Sequence, residues 1–144
     1  MTAWIFLRGL TRESRHWGDF PAVFRREMPD TEVFVPDLPG NGRLNALRSP
    51  AGIGAMADYC RATLQAQGIR PPYFLLAMSL GAMVAAEWAA RHPEDLSGCV
   101  LISTSFGGIS PFHRRLRPRN YATLLGLALP GMNDAAREAA VLRL

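Results

Sequence analysis

The chain has 144 residues, 49% of them hydrophobic and 19% charged. That is enough apolar material for one buried core and too little charge for a disordered chain. Its formal charge of +4 rests on 16 cationic residues, all of them Arg, a bias that points to codon usage more than to a polyanionic partner. Arg114 to Arg119 form the densest cluster, but no helical spacing places them on one stripe and no aromatic ladder accompanies them. They read as a solvated connector, and nucleic-acid binding is not expected.

Cys60 and Cys99 match no metal-ligand or redox spacing and are expected to be buried thiols. No cofactor motif and no metal motif is present. The N-terminal residues lack the order of a secretory signal. The longest apolar run, 73–86, is shorter than a membrane span. These features lead to the expectation of a soluble, cytoplasmic protein.

In chain order, Ala3 to Leu7 are continuously apolar and predict a buried strand. A polar loop follows, then Trp17, Phe20, Val23, Phe24 and Met28 recur at helical spacing, with Pro29 as the stop. Glu32 to Pro36 predict a second buried strand, and the loop after it holds Pro39, Gly40 and Gly42. Ser49-Pro50 reads as a helix start. Ile53, Met56, Ala57, Cys60 and Leu64 form an apolar stripe that Gly68 closes. Tyr73 to Met78 predict a third strand. Leu80, Met83, Val84 and Trp88 then recur at helical spacing, with Glu87 and Arg91 placed for an i,i+4 pair and His92-Pro93 as the end. Gly98 to Ser103 predict a fourth strand.

Apolar strands alternating with amphipathic helices imply an α/β fold, with a parallel sheet covered by helices on both faces. Beyond the fourth strand two helices are expected with no strand between them, the second capped by Asn133 or Asp134. The first of these carries Tyr121, Leu124, Leu125, Leu127, Leu129 and Met132.

Ser79 lies where the third strand gives way to its helix. Functional loops of a parallel sheet gather at the carboxyl ends of its strands. A sharp turn there exposes a hydroxyl over the sheet. It needs small neighbours, which Ala77 and Gly81 provide two residues before and two after. The Leu80 N–H, at the helix start, is placed to meet developing negative charge. Alone, the Ala-x-Ser-x-Gly pattern is a weak signal and reads first as a packed strand-to-helix turn. Two further loops in the expected order, Phe6 to Leu10 and Val35 to Gly42, give it context.

These three stretches resemble the α/β-hydrolase superfamily of small esterase and lipase-like serine hydrolases, over roughly Trp4 to Ser105. "FLRGL" resembles the family's His-Gly loop, "VPDLPGNG" its Asp-x-Pro-Gly-His-Gly loop and "AMSLGAMVA" its nucleophile elbow. The resemblance implies Ser79 as nucleophile and the Leu10 and Leu80 backbone N–H groups as an oxyanion hole. Arg8 stands where the family has His, Asn41 where the second loop has His, and Ala77 where the elbow has its first Gly. These departures bear on substrate preference, and Arg8 is a candidate substrate contact.

In the family the acid and the His follow the nucleophile in chain order. After the fourth strand this chain has Ser103, Thr104 and Ser105, with no carboxylate. His16 and His113 are the local candidates for a base. His92 sits at the far end of the helix that Ser79 begins, and Asp37 reads as a residue that fixes its own turn. The expectation is therefore the first part of an α/β-hydrolase core over 1–110, with 111–144 the start of a helical cap and the chain ending before the remaining core strands. Tyr121, Leu124 and Leu125 would contact an apolar acyl group. The expected activity is cleavage of a small-molecule carboxylic ester or thioester, with the triad's His and acid missing. The alternatives are a non-catalytic binding fragment, an acyltransferase or a C–C bond hydrolase on the same fold. An unpaired last strand would favour self-association.

Overall fold

In the computed structural model the described residues are 1–104 and 118–128, with 131, 133, 136, 139 and 140. The chain divides into two compact units, Met1–Thr104 and Ser105–Leu144.

The first unit carries a four-stranded sheet in the order β2-β1-β3-β4, with β1 Thr2–Leu7, β2 Thr31–Phe34, β3 Tyr73–Met78 and β4 Leu96–Ile102. All three pairings are parallel. The crossovers contain α1 Phe20–Glu27, α2 Ile53–Ala66 and α3 Leu80–Arg91. Because strand side chains alternate, each central strand feeds two cores. Ile5, Leu7, Leu75 and Ala77 point to one face and pack with Met56, Ala57, Cys60 and Leu64 of α2 and Ala82, Val84, Ala85 and Trp88 of α3. Phe6 and Leu76 point to the other and pack with Trp17, Val33, Trp4 and Phe24. That second core is aromatic: Trp4 stacks on Phe74 at 5.0 Å, and Phe6 meets Phe24 edge-on at 5.2 Å.

Several local expectations change. Trp17 belongs to a short 3-10 turn, Ser14–Trp17, and α1 starts only at Phe20, because Gly18 at φ 54 breaks the path between them. The second helix starts at Ile53 after Gly52, not at Ser49-Pro50. Ser49 is occupied elsewhere, packed so tightly on Gly40 that a Cβ there would stand 2.9 Å from the Ser49 Cβ. Arg91 reaches across to Asp58 at 3.1 Å and to the Gly54 carbonyl and not back to Glu87. Cys60 is buried but Cys99 is exposed, since β4 closes the sheet order on its side and has no outer neighbour among the described residues.

Other signals hold. Gly68, at φ 75, closes α2 through bonds from Gly68 N–H to the Gln65 carbonyl and from Ile69 N–H to the Leu64 carbonyl, the pairing of a Schellman end. In the second unit α4 spans Tyr121–Ala128. The Asn133 side chain accepts the Ala136 N–H at 2.8 Å, the N-cap bond the sequence suggested. No helix among the described residues is long and apolar enough to cross a membrane.

Candidate active site

Ser79 sits at the corner between β3 and α3, exposed, with φ 52 and ψ −117. An L-residue rarely adopts such a backbone, and it costs on the order of 1–3 kcal/mol. Three contacts enforce it. The Ser79 N–H donates to the Ile102 carbonyl at 2.9 Å, which ties the corner to the end of β4. The Ser79 carbonyl accepts from the Ala82 and Met83 N–H groups and so starts α3. Gly81 lies against the end of β1, where a Cβ would stand 2.6 Å from both the Leu7 and Arg8 carbonyl oxygens. The demand for a small residue two positions after the serine is thus a demand of backbone against backbone.

The loop after β1 meets the corner from the other side. A Cβ on Gly9 would stand 3.1 Å from the Ser79 Cβ and 3.5 Å from its Oγ. Leu10, the next residue, is 60% exposed. It lies in a turn closed by the Arg12 N–H on the Gly9 carbonyl at 3.1 Å, with Thr11 at φ 57. Among the described residues neither the Leu10 N–H nor the Leu80 N–H has an acceptor. Leu80 opens α3, so its N–H has no partner within the helix. The corner therefore offers a hydroxyl and, next to it along the chain, an unpaired donor. A second unpaired donor lies one residue beyond the glycine packed on that hydroxyl.

Arg8 lies alongside. Its guanidinium sits 4.9 Å over the Trp17 ring, and one Nη donates to the Met78 sulfur at 3.1 Å. The sequence singled out Arg8, but not Trp17 or Met78 as its platform, since Trp17 reads equally as core.

Asp37 is a loop tie. Its carboxylate accepts the Ser14 N–H at 2.6 Å and the Arg43 N–H at 3.1 Å. It therefore joins the two loops that follow β1 and β2, and a Cβ on Gly42 would collide with it at 2.6 Å. Asn41 donates to the Leu38 and Pro39 carbonyls. The Nδ1 of His16 accepts the Glu13 N–H at 3.0 Å, which holds that exposed ring in its own turn. His92 follows the last residue of α3 and lies 3.3 Å from Glu94, about 20 Å along the helix axis from Ser79. His113 lies outside the described residues, as do the side chains of Tyr121 and Leu124. Leu125 is 70% exposed. Among the described residues no group of three or more His, Cys, Asp or Glu is placed to hold a metal ion.

A parallel sheet with an exposed serine in a left-handed corner at its carboxyl end defines the α/β-hydrolase class. The description "Alpha/beta hydrolase family" matches residues 4–143, and the chain belongs to that family. It is 38% identical over 94 residues to a pimeloyl-[acyl-carrier protein] methyl ester esterase of Chromobacterium violaceum, covering 62% of this chain and 34% of that one. It is 32% identical over 97 residues to a 2-succinyl-6-hydroxy-2,4-cyclohexadiene-1-carboxylate synthase of Enterobacter sp., covering 67% of this chain and 35% of that one. The solved structure of the RedJ thioesterase of Streptomyces coelicolor superposes with a TM-score of 0.70 at 14% identity, covering 99% of this chain and 51% of that one. The chain thus spans about half, or less, of the length of these relatives.

Proposed function

We propose that the protein is a serine hydrolase that cleaves carboxylic esters or thioesters. Ser79 is its nucleophile, and the backbone N–H groups of Leu10 and Leu80 are the donors to the oxyanion. The observation that carries this reading is the backbone of Ser79, φ 52 and ψ −117, held between Gly9, Gly81 and Ile102. Strain at an exposed polar residue is retained where geometry has a use, and this geometry exposes a hydroxyl near N–H groups that are unpaired among the described residues. The 38% identity to an esterase supports the substrate class.

In the reaction the Ser79 Oγ attacks the acyl carbon. The Oγ–C bond forms, and the carbonyl oxygen becomes an oxyanion met by the two N–H groups. Collapse expels the alcohol or thiol, which takes up the proton that left Oγ. Water then repeats the sequence and releases the acid. The proton must be carried by a base. The proposed base is a His, oriented by an acid, from the part of the family's fold that follows β4 and that this chain's span of its relatives leaves out.

A non-catalytic binding role is the second reading. It is favoured by the places of His16 and His92, one bonded within its own turn and the other at the far end of α3. Hydrolysis of a p-nitrophenyl ester by the chain continued with the remaining core strands of a relative, and by its Ser79→Ala twin, separates the two. The catalytic reading expects a rate that Ser79→Ala lowers by orders of magnitude. Equal rates with both folded would sink it.

A further inference from the structure

The Arg8 guanidinium is half-buried, yet no oxygen acceptor receives any of its donors among the described residues. Its Nε is enclosed without a partner, and its one bond goes to the Met78 sulfur, a weak acceptor. Desolvation, and then the charge of the neighbouring Arg12, both disfavour its charged form. Arg12 makes no ion pair among the described residues. The carboxylates in the adjoining loops are engaged elsewhere: Glu13 pairs with Arg15, and Asp37 with Ser14 and Arg43.

Two like charges thus lie near each other without a counter-ion among the described residues, one of them over an indole ring. Enclosing an unpaired guanidinium is costly. The same arrangement suits an oxyanion, because part of the guanidinium's desolvation precedes the ligand and its position over Trp17 is already set.

We infer that Arg8, assisted by Arg12, is the binding site for an anionic group of the substrate, a carboxylate or phosphate carried close to the scissile acyl carbon. Arg8 precedes Gly9, which is packed on Ser79, and its guanidinium contacts Met78, the residue before Ser79, so it lies at the same end of β3 as the proposed nucleophile. The substrate class is then narrowed from neutral esters to half-esters whose acyl chain ends in a carboxylate, or to thioesters whose leaving group carries phosphate. The inference rests on the catalytic reading for the role of the anion. The binding itself is measurable without catalysis.

The test uses the Ser79→Ala chain, so that loss of the nucleophile cannot be confused with loss of the anion site. It is titrated with monomethyl glutarate, with inorganic phosphate and with neutral dimethyl glutarate. Binding is followed by calorimetry and by tryptophan fluorescence, since Trp17 underlies the guanidinium. Saturable binding of either anion is expected, weakened by salt and about tenfold or more by Arg8→Gln, with the neutral diester at least as weak. A preference for monomethyl glutarate assigns the anion to the acyl chain, and a preference for phosphate assigns it to the leaving group. Trp17→Phe should remove the fluorescence change while the calorimetric signal stays. Should Arg8→Gln fail to fold, Arg12→Gln in the loop must still weaken anion binding and flatten its salt dependence. Equal affinity for the neutral diester, or anion binding unchanged in both Arg variants, overturns the assignment and leaves Arg8 a packing residue over Trp17.

Discussion

Gly9 and Ser79 face each other at such short range that a methyl group on the first would stand 3.1 Å from the Cβ of the second. The first loop is therefore seated against the strained corner with no room to spare. Gly9→Ala should cost little stability, about 1 kcal/mol or less, because the neighbouring atoms need yield only a few tenths of an ångström. It should nevertheless reduce Ser79-dependent ester hydrolysis by an order of magnitude or more, since small displacements of a nucleophile are expensive. Gly81→Ala should behave in the opposite proportion. Its Cβ meets two backbone carbonyls at 2.6 Å, so β1 and α3 must separate, at about 1–3 kcal/mol or more. Urea titrations of the two variants, with hydrolysis rates beside them, check the contrast. Equal stability losses would contradict it.

The left-handed backbone of Ser79 makes a second comparison possible. Ser79→Ala keeps the Cβ and hence the strain, whereas Ser79→Gly removes both. Glycine also loses more freedom on folding, a penalty of roughly 0.5–1 kcal/mol, against a relief of about 1–3 kcal/mol. Ser79→Gly should therefore be the more stable of the two by about 1 kcal/mol, read as a higher urea midpoint at unchanged slope. A midpoint below that of Ser79→Ala would mean that the corner is not strained.

The parallel sheet was legible because its strands are largely apolar runs that alternate with helices carrying a stripe, so the period of the pattern changes at each boundary. The corner was legible for a different reason: Ala77, Ser79 and Gly81 stand at fixed offsets from the end of an apolar run. The helix starts were less so. Ser49 is chemically a good cap, and only its contact with Gly40, nine residues earlier, shows why it is not one. Nor does any local signal tell Arg91 to choose Asp58, 33 residues away, over Glu87 in the next turn. The loop tie at Asp37 was visible as a turn residue, but its reach to Ser14 in another loop was not. Pairings between separate crossovers are written in the topology and not in the spacing.

Asp95 gives the fold an acid limb. It is buried and accepts from Arg61 Nε at 2.6 Å and Trp88 Nε1 at 3.0 Å. Burial alone would raise its carboxyl, but the bonds from Arg61 and Trp88, with the Arg61 charge, outweigh it and hold the pKa below the ordinary value. A depressed folded pKa means that the stabilisation is present above the unfolded value of about 3.9 and is lost as pH falls through the folded one. Asp95→Asn should flatten the fall in melting temperature below about pH 4. Asp95→Ala should in addition leave the Trp88 N–H buried and unpaired, at about 1–3 kcal/mol. An acid limb unchanged in Asp95→Asn would assign that limb to other carboxylates.

Along β4, Val100, Leu101 and Ile102 are each more than a third exposed, and the strand has no outer neighbour among the described residues. An apolar strand with an unpaired side is a template for pairing with another chain. Self-association that grows with concentration is expected in light scattering, and Leu101→Lys should suppress it without lowering the melting temperature by more than a few degrees. A monodisperse monomer at high concentration would mean that this side of β4 is covered.

The last prediction concerns the proton. Ser79 keeps a demanding backbone, and the Leu10 and Leu80 N–H groups are unpaired among the described residues, yet His16 is bonded within its own turn and His92 lies at the far end of α3. Oxyanion donors and binding alone leave a residual rate above that in water when the base is absent, so the 144-residue chain should hydrolyse p-nitrophenyl esters weakly. A chain continued with the remaining core strands of a relative, bringing its acid and His in the family's order, should be faster by orders of magnitude. The increase should come from kcat, since what is gained is activation of the hydroxyl and not ground-state binding. It should follow a pH profile rising through the pKa of a histidine, near 6.5 before any perturbation. Each comparison needs its Ser79→Ala twin. If the extended chain folds and the twins stay equal, Ser79 is a structural corner and the binding role prevails. If the 144-residue chain itself turns over rapidly, the base is His16 or His113, and replacing each with Gln identifies which.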